Sequence, residues 1–168
     1  HELAHARAIE LLPVAPDHGR AHRVAAEHDV LQVHSDQEVV EIVREARITL
    51  EAPAPDDTVC GVGTLTSLDL AASKLLANSD RQADDGVFSR DVIDLAMMNL
   101  PLPQLRAALA KASQAYGPSV ARDLGKAIDR LQNRTGWLER CIQAMAMQMP
   151  KAVLWQKVRA LRRVVPAA

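Results

Sequence analysis

Lys74 and Arg81 stand seven residues apart, and Arg90, Asp91 and Asp94 follow shortly after them. Seven residues is about two helical turns, so the two cations point the same way if one helix carries both. Asp91 and Asp94 are three apart and therefore neighbours on one face of a following helix. The pattern sets two cations against two carboxylates across a short loop. The same residues also suit plain helix structure. Asp91 and Asp94 near a helix N-terminus favour the macrodipole, Arg90 can pair with Asp94 at i,i+4, and Lys74 can be solvated.

The elements that must position these residues are legible from caps and breakers. Thr66 or Ser67 caps a helix running to about residue 79, with Leu68, Ala72, Leu75 and Leu76 as its core stripe. A polar loop over 82–88 contains Gly86, and Ser89 caps a second helix ending near residue 100, before Pro101. Pro103 starts a third, which Gly117-Pro118 stops. A fourth covers 119–133, a fifth 137–147 after Gly136, and Pro150 opens a last one to 165. Upstream, 2–12 reads as a short helix closed by Pro13. Residues 23–27 fit a helix, but Val30, Leu31 and Val33 suggest a strand, as do 39–43 and 48–50. Pro53, Pro55, Asp56 and Asp57 mark a boundary, after which everything reads as helix. The expected fold is α+β and mostly α. Residues 1–52 form an N-terminal helix with a partial sheet of two to four strands, and 53–168 form a C-terminal helical bundle.

Composition agrees. The 168 residues carry only 2% aromatics and a net charge of −1, so no global field draws the chain to nucleic acid or membrane. After Glu139 there are no acids, whereas Arg140, Lys151, Lys157, Arg159, Arg162 and Arg163 are basic. That tail is either a solvated helix face or a contact for a polyanion. Cys60 and Cys141 form neither a disulfide framework nor a metal spacing, which fits a reducing cytoplasm. No apolar run reaches the roughly 20 residues of a membrane span, and there is no signal-peptide pattern. Trp137 and Trp155 read as core. Met145, Met147 and Met149 read as packing at a helix end or as an adaptable interface. His1-Glu2-Leu3-Ala4-His5 matches H-E-x-x-H, the zinc-hydrolase spacing, with Glu10 or His18 as further ligands. It sits at a chain end, where a helix frays, and the metzincin continuation is missing. All six histidines fall within the first 34 residues, and surface or core roles account for them. The sequence opens on His1 rather than methionine, so the N-terminus reads as processed, trimmed or left out.

The segment TLTSLDLAASKLLANSDR (64–81), followed by FSRDVIDLAMM (88–98), resembles the AbiEii/AbiGii-type nucleotidyltransferase toxin family. The family pattern is a helix with a Lys and a downstream Arg, then Arg-Asp-x-x-Asp-Leu. It falls here on Lys74, Arg81, Arg90, Asp91, Asp94 and Leu95. VEIVREARI (40–48) resembles the strand leading into this region, and the similarity runs from about residue 38 to residue 145. The resemblance implies a polymerase-β-like nucleotidyltransferase that moves a nucleotide from an NTP to an acceptor with Mg²⁺. It also implies an RNA acceptor such as tRNA and a cognate antitoxin. On that implication Lys74, Arg81 and Arg90 bind phosphate, Asp91 is the leading catalytic or orienting carboxylate, and Asp94 supports it. Glu41 would be a third, sheet-borne carboxylate, or else a surface residue of an edge strand.

One departure stands out. The superfamily's Gly-rich phosphate turn and its Asp-x-Asp strand are both missing. Gly61-Val-Gly63 lies after the sheet, and Asp56-Asp57 and Asp84-Asp85 lie in loops. The expectation is a chain inactive alone, as a truncated fragment or a degenerate paralogue, with residues 1–52 the remnant of a nucleotidyltransferase core. The alternative is a non-catalytic helical module that binds RNA or an antitoxin through the basic tail. An incomplete sheet leaves an edge that pairs with other chains, which points to a homodimer.

Overall fold

In the computed structural model the backbone is described for residues 23–26, 28–34, 39–43 and 47–166, and side chains for 47–166. The helix expected over 2–12 and the His1–His5 motif lie outside the described residues. The chain divides into two compact units, His1–Glu45 and Ala46–Ala168. The fold is mostly α with small β elements.

In the first unit β1 (Arg23–Ala26), β2 (His28–His34) and β3 (Val39–Val43) form an antiparallel sheet in the order β1-β2-β3. Arg23 pairs with Leu31 and Ala26 with His28, so this stretch is strand and not helix. The helix propensity of Ala25 and Ala26 yields to a ladder partner rich in β-formers. Val30 lies opposite Val43, and Val33 opposite Val40. Such β-branched cross-strand pairs stabilise a sheet.

The second unit begins differently from expectation. Residues 48–50 form no strand. Ile48 instead inserts into the helical core, and the Arg47 guanidinium lies 4.7 Å from the Tyr116 ring centroid. A small hairpin follows, β4 (Thr58–Val59) and β5 (Val62–Gly63), where only helix was anticipated. Its two turn residues, Cys60 (φ 53°) and Gly61 (φ 78°), are both left-handed. Tight hairpins want this twist, and Asn-Gly usually supplies it. Cysteine in the first place hid the signal.

Six helices complete the unit: α1 (Ser67–Arg81), α2 (Arg90–Met97), α3 (Leu102–Tyr116), α4 (Ser119–Asn133), α5 (Trp137–Ala144) and α6 (Lys151–Leu161). Thr66 caps α1, its hydroxyl accepting from the Asp69 N–H at 3.2 Å. Gly117 (φ 85°) ends α3. Two helices stop short of expectation at left-handed residues. α2 ends before Asn99 (φ 51°), and α5 ends before Ala146 (φ 48°). α1 packs on α2, α3 and α4, α6 lies against α2 and α4, and α5 joins α4 to α6. Ala71, Ala72, Ala108, Ala112 and Ala127 are buried and admit close approach, while Leu75, Ile93, Leu124, Ile128 and Leu154 fill the interior. Each such large side chain contributes about 1.5–3 kcal/mol.

Three carboxylates are buried in this apolar setting, those of Asp69, Asp91 and Asp123, and the first and last tie elements of the bundle together. Asp69 of α1 accepts the Glu51 N–H at 2.6 Å and the ammonium of Lys111 from α3, tying the incoming chain to two helices. Asp123 of α4 accepts the Ser79 hydroxyl at 2.9 Å and Lys126 at 3.1 Å. Burial works to raise both pKa values. For Asp69 the Lys111 and Glu51 bonds outweigh it, for Asp123 the Lys126 and Ser79 bonds do, and both carboxyls end below the usual carboxylate range. Folding therefore releases protons in acid, so these groups add stability above the unfolded value of about 3.9. That stability is lost as pH falls through the lower folded values. Urea midpoints should drop as pH is lowered from about 4 toward 2. The Asp69→Asn/Asp123→Asn double variant should be less stable near neutrality and lose less on acidification. Equal losses would place the acid sensitivity elsewhere.

Candidate functional site

The site is built at the corner between α1 and α2. α1 ends on Arg81. Asp84 then accepts the Gly86 N–H at 2.7 Å and caps a 3-10 turn at Asp85–Val87. Phe88 (φ 51°) and Ser89 (φ 52°) follow, two consecutive left-handed residues without glycine. Such a conformation costs on the order of 1 kcal/mol or more per residue and persists only where the surroundings enforce it.

The enforcement comes from α4 and α5. The Trp137 Nε1–H donates to Ser89 Oγ at 2.9 Å, and the Trp137 ring stacks on Phe88 at 6.1 Å between centroids. Asp85 receives Arg130, and also both terminal nitrogens of Arg134 at 2.8 Å. Arg130 also donates to the Gln82 carbonyl at 2.7 Å, which holds the end of α1. Ser89 thus stands at the N-cap of α2 without capping it, because its left-handed backbone gives the hydroxyl to Trp137.

This corner lays α2 against α1 and brings four charged side chains into two pairs. The Lys74 ammonium donates to Asp94 Oδ2 at 2.6 Å. Arg81 donates from Nε to Asp91 Oδ2 at 2.7 Å and from Nη2 to Asp91 Oδ1 at 2.9 Å, a bidentate fork. The two pairs differ in burial. The Asp91 side chain is 3% exposed beneath an Arg81 that is 48% exposed, whereas Lys74 and Asp94 are 29% and 37% exposed. Asp94 gives its carboxylate to Lys74 and not to Arg90. Arg90 is exposed at the first position of α2 and takes no part in either pair. Glu41 lies in β3 of the other unit, opposite Gln32, and its side chain is outside the described residues.

Sequence reasoning did not single out Asp85, Ser89, Arg130 or Arg134, and it took Trp137 for plain core. Asp85 and Ser89 lie more than 40 residues from the partners they meet at α4 and α5, and no local period links them. Cys141 is buried beside Ser89. Burial pushes its thiol up to about 11 against the pull of Ser89 and nearby arginines, so it is a protonated packing group and no nucleophile. The carboxylates of this corner do not suit a divalent metal. Both oxygens of Asp91 are taken by Arg81, and among the described residues no group of three or more His, Cys, Asp or Glu could hold a metal ion.

A family model described as the nucleotidyl transferase AbiEii toxin of a type IV toxin–antitoxin system matches residues 7–163. The chain belongs to this family. Comparison with curated proteins and with solved structures finds no match. The AbiEii assignment makes the chain a nucleotidyltransferase-like toxin in general terms, and a toxin–antitoxin family points to an antitoxin as its counterpart. Among the described residues no helix is long and apolar enough to cross a membrane.

The unequal burial of the two pairs sets their energies apart. Arg81→Ala would strand a carboxylate inside the protein, at a cost of about 1–3 kcal/mol or more. Lys74→Ala breaks a pair that water screens, at a cost of about 0–1 kcal/mol. Urea titration of both variants should show Arg81→Ala clearly the less stable. Equal losses would mean that the Asp91 pair gains nothing from burial.

Proposed function

We propose that this AbiEii-family chain supplies the phosphate-binding helical part of a toxin that transfers a nucleotide from an NTP to an RNA acceptor such as tRNA. The observation that carries this reading is the paired corner of α1 and α2. Arg90, Lys74 and Arg81 outnumber Asp91 and Asp94 there by three charges to two, and all three cations reach solvent. Lys74 has three N–H donors, of which Asp94 takes one. Arg90 adds an exposed guanidinium one residue before Asp91. A triphosphate is met by Lys74, Arg81 and Arg90, while Asp91 and Asp94 act as positioning residues that hold the first two in place.

Phosphoryl chemistry of this kind draws on metal ions that neutralise charge on the phosphates. The corner lacks the donor set for one, and no step is assigned to a metal here. The 168 residues contain neither the Gly-rich turn nor an Asp-x-Asp strand. Glu41 on β3 is one carboxylate that they offer from a sheet. The chain is accordingly inactive when tested by itself, and it is controlled in the cell by its antitoxin.

Isothermal titration of the chain with NTP and Mg²⁺ should show binding. Lys74→Ala or Arg90→Ala should weaken it about tenfold, the effect of losing one charge-assisted hydrogen bond. Labelled NTP should not enter tRNA. Failure to bind any NTP would overturn the phosphate site. Incorporation that Asp91→Ala abolishes would overturn the assignment of inactivity.

A further inference from the structure

Asn78 of α1 falls between the two ion pairs, four residues after Lys74 and three before Arg81. Positions three and four apart are neighbours on a helix surface, so the three side chains share one face of α1. Both cations of that face meet carboxylates of α2. Asn78 is 2% exposed, and its Nδ2 is enclosed without a hydrogen-bond partner among the described residues. Buried donors are nearly always satisfied, and an apolar residue here would avoid the penalty of one that is not. Nδ2 is also closed to solvent, so the acceptor that turns to it has to be a group of the protein itself.

Helix geometry singles out that acceptor. Side chains on a helix lean toward its N-terminus. The Arg81 head therefore lies over the turn that carries Asn78, and it brings the carboxylate it holds to the same level. Depth agrees. Asp91 is enclosed as Asn78 is, whereas Asp94 is partly exposed and water can serve it. As the corner stands, both Asp91 oxygens belong to Arg81, Oδ2 through Nε and Oδ1 through Nη2.

We propose that Asn78 is a reserve donor for Asp91. When Nη2 of Arg81 turns to an anion, Nε keeps its bond to Oδ2 and holds the head in place. Oδ1 is then short of a donor in the interior, and Asn78 Nδ2 takes it over. Asp91 keeps two donors throughout, and Arg81 is shared with a ligand without leaving a buried charge unmet. Asn78 touches no ligand in this scheme and is a positioning residue. That the anion is an NTP phosphate rests on the function proposed above. The exchange of donors does not, because any loss of the Arg81 fork calls on it.

A double-mutant cycle tests the exchange by urea unfolding of the 168-residue chain, Asn78→Leu, Arg81→Ala and the double variant. With Arg81 present, Asn78→Leu should leave the folding constant unchanged or raise it, since it removes an unpaired donor. In the Arg81→Ala background the same change should lower the constant about tenfold, the effect of one hydrogen bond to a charged group. Packing alone gives no such reversal, because a packing cost is the same in both backgrounds and cancels from the cycle. Asn78→Ala, which relieves any crowding by leucine, should show the same coupling. Additive effects in both cycles would overturn the reserve bond. Calorimetry with NTP and Mg²⁺ reads the link to binding. Asn78→Leu should weaken NTP binding about tenfold with no drop in thermal midpoint. NTP binding unchanged in that variant would overturn the hand-over to a ligand. Coupling present in a chain that binds no NTP supports the reserve bond and counts against the phosphate site alone.

Discussion

A carboxylate removed from water must be met by a donor geometry that replaces its hydration, and Asp91 imposes that condition on the helical unit. It sits 3% exposed in the first turn of α2, and the Arg81 fork meets both of its oxygens. For the fork to close, the last residue of α1 and the second residue of α2 must come within hydrogen-bonding distance after a turn of only eight residues. α2 then has one permitted direction, back across α1, and Lys74 and Asp94 meet further along as a consequence. The rest of the bundle is consistent with that angle. α6 covers the other side of α2, and α3 and α4 cover α1.

So tight a return is not free. It passes through Phe88 and Ser89 in left-handed backbone, which an isolated chain would avoid. Trp137 is what makes it tenable. Its ring covers Phe88, its N–H satisfies Ser89, and the guanidiniums around it reach out to Asp85 and the Gln82 carbonyl. The corner is thus specified twice, by the Asp91 fork from inside and by α4 and α5 from outside. In a chain with 2% aromatic residues, placing two of the four aromatic rings against this one turn concentrates the strongest packing groups where the backbone is least comfortable.

These two layers of specification explain what could be read from sequence. The helices and most of their ends follow from Thr66, Pro101, Gly117-Pro118, Gly136 and Pro150, because capping and breaking are local effects. The facing of Lys74 and Arg81 toward Asp91 and Asp94 follows from spacings of seven and three along two helices. The outer layer has no such trace. Ser89 looks like an ordinary N-cap, Asp84-Asp85 like an acidic loop, and Trp137 like core, since the contacts that define them span nearly 50 residues. The hairpin at 58–63 was hidden by a cysteine in a place where Asn or Asp is the usual sign. Strand 23–26 was obscured by alanines whose helix preference counts for less than a paired neighbour.

The same arrangement bears on how a phosphate would be met. A free lysine loses up to about 2 kcal/mol of side-chain freedom when it is fixed, and arginine much the same. Here Asp94 and Asp91 have already fixed Lys74 and Arg81, so that loss is incurred on folding and not on binding. Neutralisation opposes this gain, because each cation is partly satisfied before any ligand arrives. The balance turns on exposure. Asp91 is enclosed and directs the Arg81 head outward, whereas Lys74 and Asp94 remain in contact with water, where their mutual attraction is weak. On the function proposed above, an incoming phosphate would compete easily for Lys74 and would find Arg81 held in position but not withdrawn. Carboxylates in these two places serve the cations better as struts than as ligands of their own.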